Sequence, residues 1–540
     1  VDYMHKTNEQ IVIVGAGMAG LTAAAYLSKA GYKVLLLEKN TRSGGLLGTF
    51  SSNGFHFDTG PRALINSGIV KPILKELGVE WTCYENKISI GLEDRLFQVS
   101  SIEALEEYQR ILIDLYPDDT EDIRRILAAM RELSEYTRVI YEFDNPYFGD
   151  QFSNKEYVIK RLLPWTLKFL QALRKFNQFK LPMEDYLHQL TTRQPLIDIL
   201  TQHFFRGTPT YFALGYFYVY LDYFYPKGGT GTLKDLLAQK VGEWGGQIEL
   251  NKKVMRVIPA ESKVVDEAGQ EYRYSHLIWA ADLKTFYQSI DPVGLDAATA
   301  RRLEVERQPI LAAKGAESVF IMNIGVNRPP SYFKARGGEH LFFTPSRQGL
   351  GEINGAQRVR LIQNFDQVSK SEVIAWLESY CDLTTYEISI PALRDSSLAP
   401  EGQTGLMVSC LFDYQVIKNV ENAGWYDEFK ERVENRIISN LSRTIFSDLD
   451  QDILFKFSAT PLTINKVSGS SEGAITGWSF ETEPPVIYKL TDVGKSVITA
   501  LPNVYKAGQW AYAPAGVPIA MLTAWHAYQK IIKQSKRKRP

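Results

Sequence analysis

The feature that most constrains this chain is a glycine-rich turn near its beginning. Residues 11–14 are β-branched and apolar, as in a buried strand, and Gly15, Gly17 and Gly20 follow before an alanine-rich helix pattern. The first glycine permits a tight turn, the second lets backbone approach a pyrophosphate, and the third lets the helix pack on the strand. The helix N-terminus attracts the phosphates. We expect the phosphate-binding turn to comprise Gly15, Ala16, Gly17, Met18, Ala19 and Gly20.

The next strand pattern ends in a carboxylate, which indicates that the ligand of this turn is a dinucleotide. Residues 32–37 are mainly apolar and lead to Glu38, which stands about 20 residues after the last glycine of the turn. At that distance an acidic residue accepts hydrogen bonds from the adenosine ribose. Its charge also repels a 2′-phosphate, which disfavours NADP. We expect the neighbouring Lys39 to contact the cofactor too.

A second glycine pair narrows the cofactor further. Gly44 and Gly45 follow soon after the ribose-binding acid, and residues 54–61 add a Gly-Phe-His-Phe-Asp-Thr-Gly-Pro element. A simple NAD site would not need this second close-approach surface. Together with residues 225–257 and 504–521, these segments resemble the FAD-binding superfamily of amine oxidases and phytoene desaturases. Their order and wide spacing are similar to the phytoene desaturase branch, which includes carotenoid desaturases, carotenoid isomerases and retinol saturase.

The resemblance implies further residues around FAD. Val254 corresponds to the valine whose backbone meets the adenine in the family, and Ala281 ends the strand that returns to the nucleotide fold. The chain departs from the family pattern at Leu46, where many relatives have Arg, and at Gln509, where many have Asp. A Gln amide can still hydrogen-bond a phosphate or ribityl oxygen, but it brings no charge. The remaining positions that the resemblance places at FAD are Gly44, Gly45, Gly60, Pro61, Arg62, Gly508, Gly516, Val517, Pro518 and Met521.

These elements lie far apart in the chain, so we expect an α/β protein whose Rossmann-type FAD-binding domain is discontinuous. That domain would comprise residues 1–70, 225–290 and 495–540. Residues 71–224 predict a mainly helical substrate subdomain that faces the membrane, and residues 291–494 predict a mixed-sheet substrate domain. Within the latter, the predicted β-runs begin at Ser318, His340, Arg358 and Gly405, and a long helix is predicted near residues 425–444.

Two segments favour a water-insoluble substrate. Residues 160–180 combine apolar residues at helical spacing with six basic residues and no acidic residue, a pattern typical of a helix in an anionic membrane interface. An ordinary surface helix with its apolar face on the core has the same pattern, so that alternative stays open. Residues 211–225 are unusually rich in Phe and Tyr, and they fit either the lining of a long apolar tunnel or plain core packing.

The charge balance and the few cysteines narrow the partners and the compartment. With 61 basic and 62 acidic residues, the formal net charge is −1, which argues against nucleic acid as the main partner. Cys83, Cys381 and Cys410 do not provide the paired framework of a secreted scaffold. Because residues 1–10 are polar, we expect no signal peptide before the fold. No apolar run reaches about 18 residues, and only residues 533–540 are strongly basic. We expect a cytoplasmic protein, peripheral on the inner face of the membrane, with no metal site among its seven scattered histidines.

The expected chemistry comes more from the cofactor than from any side chain. FAD would exchange a hydride with an activated carbon of an extended apolar substrate held away from water. His56 and Arg62 are candidates for acid–base or substrate-binding roles, but a solvent-facing strand residue and a structural ion-pair partner explain them as well. The sequence does not choose among desaturation, which needs an external electron acceptor, saturation, which needs a donor, and cis/trans isomerisation. A flavin amine oxidase and a non-enzymatic flavin-containing lipid-binding protein are the alternatives, and the oligomeric state stays open.

Overall fold

A computed structural model describes residues 9–148 and 154–538 of the chain. Most of the polar N-terminal segment, residues 1–8, lies outside these ranges, as do Arg539 and Pro540 of the basic tail. Within them, no helix combines the length and the apolar character that a membrane crossing requires.

The described strands form five sheets. In chain order the strands are β1 (Gln10–Val14), β2 (Lys33–Leu37), β3 (Thr49–Ser52), β4 (Phe55–Asp58), β5 (Leu64–Ile65), β6 (Cys83–Glu85), β7 (Ile88–Leu92), β8 (Arg95–Val99), β9 (Tyr223–Pro226), β10 (Gln247–Glu249), β11 (Val254–Ile258), β12 (Lys263–Asp266), β13 (Glu271–Arg273), β14 (His276–Trp279), β15 (Ser318–Val326), β16 (His340–Thr344), β17 (Tyr386–Ser389), β18 (Thr404–Phe412), β19 (Ile453–Ala459) and β20 (Val504–Lys506).

Helices cover the faces of these sheets and build most of the region between β8 and β9. In chain order the α-helices are α1 (Met18–Lys29), α2 (Val70–Glu76), α3 (Leu105–Leu115), α4 (Thr120–Tyr141), α5 (Lys155–Tyr157), α6 (Leu163–Phe176), α7 (Met183–Leu187), α8 (Gln194–Thr201), α9 (Thr210–Val219), α10 (Thr232–Glu243), α11 (Leu283–Ser289), α12 (Ala297–Ala312), α13 (Pro330–Lys334), α14 (Ala356–Gln363), α15 (Lys370–Leu383), α16 (Tyr414–Asn422), α17 (Tyr426–Arg443), α18 (Pro461–Ser468) and α19 (Val517–Lys538). The π-helical segment Val158–Leu162 joins α5 to α6.

A five-stranded parallel sheet, in the order β10-β2-β1-β14-β20, collects strands from three separate regions of the chain. Its central strand, β1, is apolar and almost fully buried, as expected where helices cover both faces of a parallel sheet. Helix α1 packs against α10 and α19. The carboxyl ends of the strands meet at one edge, where α/β sheets bind their ligands. The predicted α/β class with a discontinuous Rossmann-type sheet is confirmed.

The second large sheet has seven strands in the order β19-β15-β18-β17-β16-β7-β8. Most of its neighbours are antiparallel, but β16 and β7 run parallel. Strands β7 and β8 belong to the segment 71–224, which the sequence predicts as mainly helical, and they extend the sheet formed by later residues. A small sheet, β5-β9-β6, lies between the two large sheets along the chain: β5 begins two residues after Arg62, and β6 ends shortly before β7 of the second large sheet.

One of the predicted β-runs is wrong. Arg358 and the four residues after it lie in α14, not in a strand. The run of alternating apolar residues is too short to distinguish the repeat of a strand from the repeat of a helix. The flanking Ala, Gln and Arg residues favour a helix. In that helix only Leu361 is buried. The other predicted runs correspond to β15, β16 and β18, and the predicted long helix corresponds to α17.

Candidate active site

The glycine turn between β1 and α1 is shaped by contacts that exclude larger residues. Gly15 has a φ of +98°, and a Cβ atom there would lie 2.9 Å from the carbonyl oxygen of Ala280 and 3.1 Å from Cβ of Ala281. A Cβ on Gly20 would collide with the carbonyl oxygen of Gly15. The turn therefore brings Ala281 beside the start of α1, where the free N–H groups of the first turn of the helix can bind phosphate.

Glu38 is buried beneath this turn and is held by backbone donors. Its Oε2 accepts a hydrogen bond from the N–H of Ala16 at 2.8 Å, and its Oε1 accepts one from Asn40 at 2.9 Å. A carboxylate accepts about four hydrogen bonds, so lone pairs are left for ribose hydroxyls. Lys252 donates its backbone N–H to the carbonyl of Glu38 at 2.7 Å, which brings the start of β11 and Val254 next to Glu38.

Lys39, beside that acid, projects its side chain toward Gly469, where a Cβ atom would lie 2.5 Å from the ammonium nitrogen of Lys39. Burial lowers the pKa of Lys39, against the opposing charge of Glu38. The ammonium thus lies in a partly desolvated position near the carboxyl edge of the parallel sheet.

The second glycine pair packs on the first turn. Gly44 donates its N–H to the carbonyl of Ala16 at 2.7 Å and forms a parallel bridge with Gly17. A Cβ atom on Gly45 would lie 3.2 Å from the Cα of Gly17. The two glycine segments therefore form one continuous backbone surface with Leu46 at its end.

Lys234 supplies a positive charge that sequence reasoning missed. It lies near the start of α10, and its stem crosses Gly44 so closely that a Cβ atom there would collide with it. Its side chain is 12% exposed and its ammonium pairs with Asp235. Because Leu46 brings no charge to this surface, the positive charge beside Gly44 comes from Lys234. The Gly-Thr-Leu-Lys sequence at 231–234 was the only available signal, and its proximity depends on the packing of α10 on α1.

The segment after β4 forms a tight turn that Arg62 closes. A Cβ atom on Gly60 would collide with the carbonyl oxygen of Leu46, so Pro61 and Arg62 follow directly against the second glycine segment. Arg62 is buried, and its Nη1 donates to the carbonyls of Asp58 at 3.0 Å and Gly60 at 2.9 Å. Burial lowers its pKa, while the nearby charge of a glutamate, Glu387, opposes this change. The Nε of Arg62 has no hydrogen-bond partner among the described residues.

His56 lies in the hairpin of β3 and β4, opposite Ser51. Its neighbours Phe55 and Phe57 are buried in an apolar cluster, so strand alternation turns the half-buried imidazole to the other side. Its ring makes no hydrogen bond to the described residues. Asp58, two residues on, instead binds the hydroxyl of Tyr225 at 2.7 Å and acts as a structural acceptor.

The C-terminal segment reaches the same edge of the parallel sheet. Gly508 has a φ of +103° and donates its N–H to Oγ1 of Thr523 at 2.9 Å. A Cβ atom on Gly508 would lie 3.4 Å from Cβ of Ala19, so this turn contacts the start of α1. The backbone of Gln509 packs against Gly477. Gly516 precedes α19, and Val517, Pro518 and the fully buried Met521 lie in its first two turns.

An apolar cavity lies between the helical region and the seven-stranded sheet. Helices α4, α8 and α9 contribute to its wall, together with β7 and β16. It is narrow, about 40 Å³, enough for a few water molecules. An extended ligand would therefore have to displace side chains, among them Phe217, Tyr220 and Phe342. His203 also lines the cavity, and burial lowers its pKa to about 4, so its ring is neutral at pH 7.

Helix α6 and the π-helical segment before it present an unusually exposed apolar stripe, which we call the α6 stripe. Ile159, Leu163, Leu167 and Leu170 follow one another at helical spacing and expose 65%, 57%, 65% and 49% of their surfaces. The alternative that this apolar face packs on the core therefore does not hold for these four residues. At the end of the helix, Phe176 stacks on Tyr211 of α9, with ring centroids 5.0 Å apart. Tyr211 itself does not line the cavity, but Ala213 and Phe217 of the same helix do.

Comparison with known proteins adds the family to this geometry. The sequence profile described as flavin containing amine oxidoreductase matches residues 18–532. The chain belongs to this family. It is an FAD-dependent oxidoreductase, as the glycine elements predict, and its relatives match the phytoene desaturase-type branch.

Relatives and solved structures resemble this oxidoreductase over nearly its full length. A 4,4′-diapophytoene desaturase (4,4′-diaponeurosporene-forming) from Staphylococcus aureus strain bovine RF122 / ET3-1 is 24% identical, covering 97% of this chain and 99% of the relative. A triple mutant of putrescine oxidase has a TM-score of 0.59 at 13% identity and covers 98% of this chain and 99% of its own. Reduced UDP-galactopyranose mutase has a TM-score of 0.54 at 14% identity, covering 98% and 96%. The structural likenesses concern the fold alone.

Proposed function

We propose that this flavoenzyme desaturates a long apolar isoprenoid by hydride transfer from an allylic carbon to FAD. The observation that carries the proposal is the aromatic cavity beside the turn of Gly60, Pro61 and Arg62, which we place next to the flavin and call the flavin-proximal turn. Tyr220 of the cavity wall lies next to Tyr223, with ring centroids 6.2 Å apart, and Tyr223 pairs with Ile65, three residues after Arg62. The relatives named as diapophytoene desaturases favour desaturation over saturation and isomerisation.

FAD would be held by the backbone surfaces that converge on the carboxyl edge of the parallel sheet. We assign the pyrophosphate to the turns of Gly15 and Gly44, the adenosine ribose to Glu38, and the flavin end to the segments of Gly60 and Gly508. Lys234 would neutralise the pyrophosphate in place of the arginine that Leu46 replaces. When bound, FAD supplies a hydride acceptor; the chain orients the substrate and excludes water.

The substrate would enter from a lipid bilayer through the α6 stripe. Four exposed apolar side chains stand among basic residues such as Lys160, Lys168 and Arg174, which suits an anionic interface. The stacked pair Phe176–Tyr211 leads from this surface toward the cavity. Peripheral membrane attachment would let a water-insoluble substrate pass from the bilayer into the protein without entering water.

The proposal is tested by product analysis in the presence of an external electron acceptor. The FAD-loaded protein is incubated with a soluble quinone and with acyclic isoprenoid polyenes, retinoids, unsaturated fatty acids or polyamines, each offered in anionic vesicles or buffer. We expect an isoprenoid product with one more conjugated double bond and a red-shifted absorbance.

Each other product would contradict desaturation in its own way. Consumption of polyamines with peroxide release would identify an amine oxidase, and a saturated or isomerised polyene would identify a saturase or an isomerase. Bound polyene without any product, while FAD stays oxidised, would identify a lipid-binding protein.

A further inference from the structure

Glu387 is an acidic residue in the interior of the seven-stranded sheet, where a charge requires partners. Strand β17 carries it between β16 and β18, and alternation along the strand buries Tyr386 and Ile388 on the opposite face. Although it is enclosed by neighbouring elements, 31% of its side chain is reachable by solvent. Because β17 is an inner strand of the sheet, the exposed part of the Glu387 side chain faces a cleft inside the protein.

A chain of hydrogen bonds that begins at a buried guanidinium fixes the surroundings of Glu387. Arg394 donates to Oδ1 of Asn86, so the amide nitrogen of Asn86 donates to Nδ1 of His340 at 3.1 Å. The ring proton of His340 therefore lies on Nε2, which is 3.0 Å from Oε1 of Glu387. Ser409 donates its hydroxyl to Oε2 at 3.1 Å. These donors hold the carboxylate in one orientation.

The same donors keep Glu387 ionised. Burial alone would raise its pKa, but the hydrogen bond from His340 and the nearby charge of Arg62 outweigh this effect, so the pKa of Glu387 lies below its usual value. Burial lowers the pKa of His340, so its imidazole is neutral at pH 7. The cleft thus contains a fixed negative charge.

This charge lies between the flavin-proximal turn and the apolar cavity. The hydroxyls of Tyr216 and Tyr223 are 2.7 Å apart, and after burial the charge of Glu387 is among the causes that raise the pKa of both. Phe342 stacks on the imidazole of His340, with centroids 5.4 Å apart, and also lines the cavity. A polyene that passes from the cavity toward the flavin would meet Glu387 on its way.

We infer that Glu387 is the catalytic base of the desaturation proposed above, an inference that rests on that function. One C–H bond of the substrate breaks as a hydride leaves with the electron pair for oxidised FAD, so the substrate loses two electrons and FAD gains them. The adjacent C–H bond breaks toward a carboxylate oxygen of Glu387, which takes the proton. The electron pair of that bond becomes the new C=C bond. Until the proton leaves, the carboxylate stabilises the positive charge on the conjugated chain.

The test compares Glu387→Gln with a matched control, Glu434→Gln. Glu434 on α17 is also a buried carboxylate that accepts a hydrogen bond from a serine hydroxyl, that of Ser458. Both variants keep the side-chain shape, and their visible spectra report whether they fold and hold FAD. Two measurements follow: the anaerobic rate at which a polyene reduces the flavin, and the affinity for a long-chain alkylammonium, a mimic of the cationic chain, read from the flavin spectrum.

We expect Glu387→Gln to slow flavin reduction by about 10²-fold or more and to weaken alkylammonium binding at least about tenfold. Glu434→Gln should match the wild type in both. A Glu387→Gln protein that reduces its flavin at the wild-type rate, or that binds the alkylammonium as tightly, would overturn the inference. If no polyene reduces the wild-type flavin, the proposed function fails; the alkylammonium comparison still decides whether Glu387 faces the reaction site.

Discussion

The α6 stripe gives a quantitative prediction for membrane binding. Leu163, Leu167 and Leu170 each expose about half to two thirds of their surface in the folded protein. Complete burial of a leucine side chain is worth about 1.5–3 kcal/mol, so moving this exposed share into lipid contributes about 1 kcal/mol per residue. Replacing all three by serine should therefore cost about 3 kcal/mol of membrane binding, which is more than a hundredfold in the partition coefficient.

The assay is flotation of the FAD-loaded protein with vesicles that contain an anionic phospholipid. Met255, Val305 and Leu454 offer a matched control, because they are similarly exposed but scattered over other parts of the surface. Their triple serine variant should bind vesicles like the wild type. Raising the salt concentration should weaken vesicle binding by the wild type and by this control variant, because salt screens the basic residues around α6.

The result that would refute this reasoning is vesicle binding by the α6 variant equal to that of the wild type. Loss of binding in both triple variants would also count against it, because it would show that α6 has no special part. The free energy of unfolding in solution separates membrane binding from stability: the three leucines are exposed, so we expect it to change little.

Three further changes test the FAD site and the cavity. Lys234→Gln should raise the dissociation constant of FAD about tenfold because it removes a charge-assisted contact. The constant is measured by flavin fluorescence on the apoprotein, and Lys240→Gln on the same helix should leave it unchanged. Equal effects of the two variants would contradict the assignment of Lys234 to the pyrophosphate. Gly20→Ala should abolish FAD retention because the new Cβ collides with the turn. Gly242→Ala in α10 has open space around it, so it should leave FAD bound and stabilise the helix by up to about 1 kcal/mol. A Gly20→Ala protein that retains its full complement of FAD would contradict the geometry of the turn. The pKa of His203 is about 4 in the folded protein, below its unfolded value, so protonation favours the unfolded state as the pH falls from about 6.5 to 4. His203→Phe removes this group and should reduce the loss of unfolding free energy over that pH range by up to about 3 kcal/mol. Equal pH profiles of the variant and the wild type in denaturant titrations would refute this.

The sequence predicted most accurately those features that local chemistry determines. The spacing of Gly15, Gly17 and Gly20 requires one particular strand–turn–helix geometry, and Glu38 must end the following strand for its carboxylate to reach that turn. The run at Arg358 was mispredicted because a few alternating apolar residues fit a strand and a helix alike. A local sequence pattern therefore predicted the structure correctly only where the pattern was long or where glycines restricted the backbone geometry.

The features that depend on packing between distant segments were not predictable. The apolar residues of 160–180 fit a core-facing helix as well as a membrane-facing one, and only the fold exposes Leu163 and its neighbours. Glu387 lies in no recognisable motif, and the glycine-rich segment before Lys234 does not show where the side chain of Lys234 points. Lys234 reaches the second glycine pair through the packing of α10, and Glu387 meets His340 through the pairing of β17 with β16. Such contacts between residues far apart in sequence leave no short motif.

The measurement that tests the account most directly is the anaerobic stoichiometry of a single turnover. FAD-loaded protein is mixed with an acyclic isoprenoid polyene in vesicles, without an electron acceptor, while the flavin absorbance is followed and the product is analysed by mass spectrometry. We predict that the oxidised flavin bleaches and that one product molecule, lighter by two hydrogens, appears for each flavin reduced. Flavin that stays oxidised with every polyene but bleaches with an amine would contradict the account.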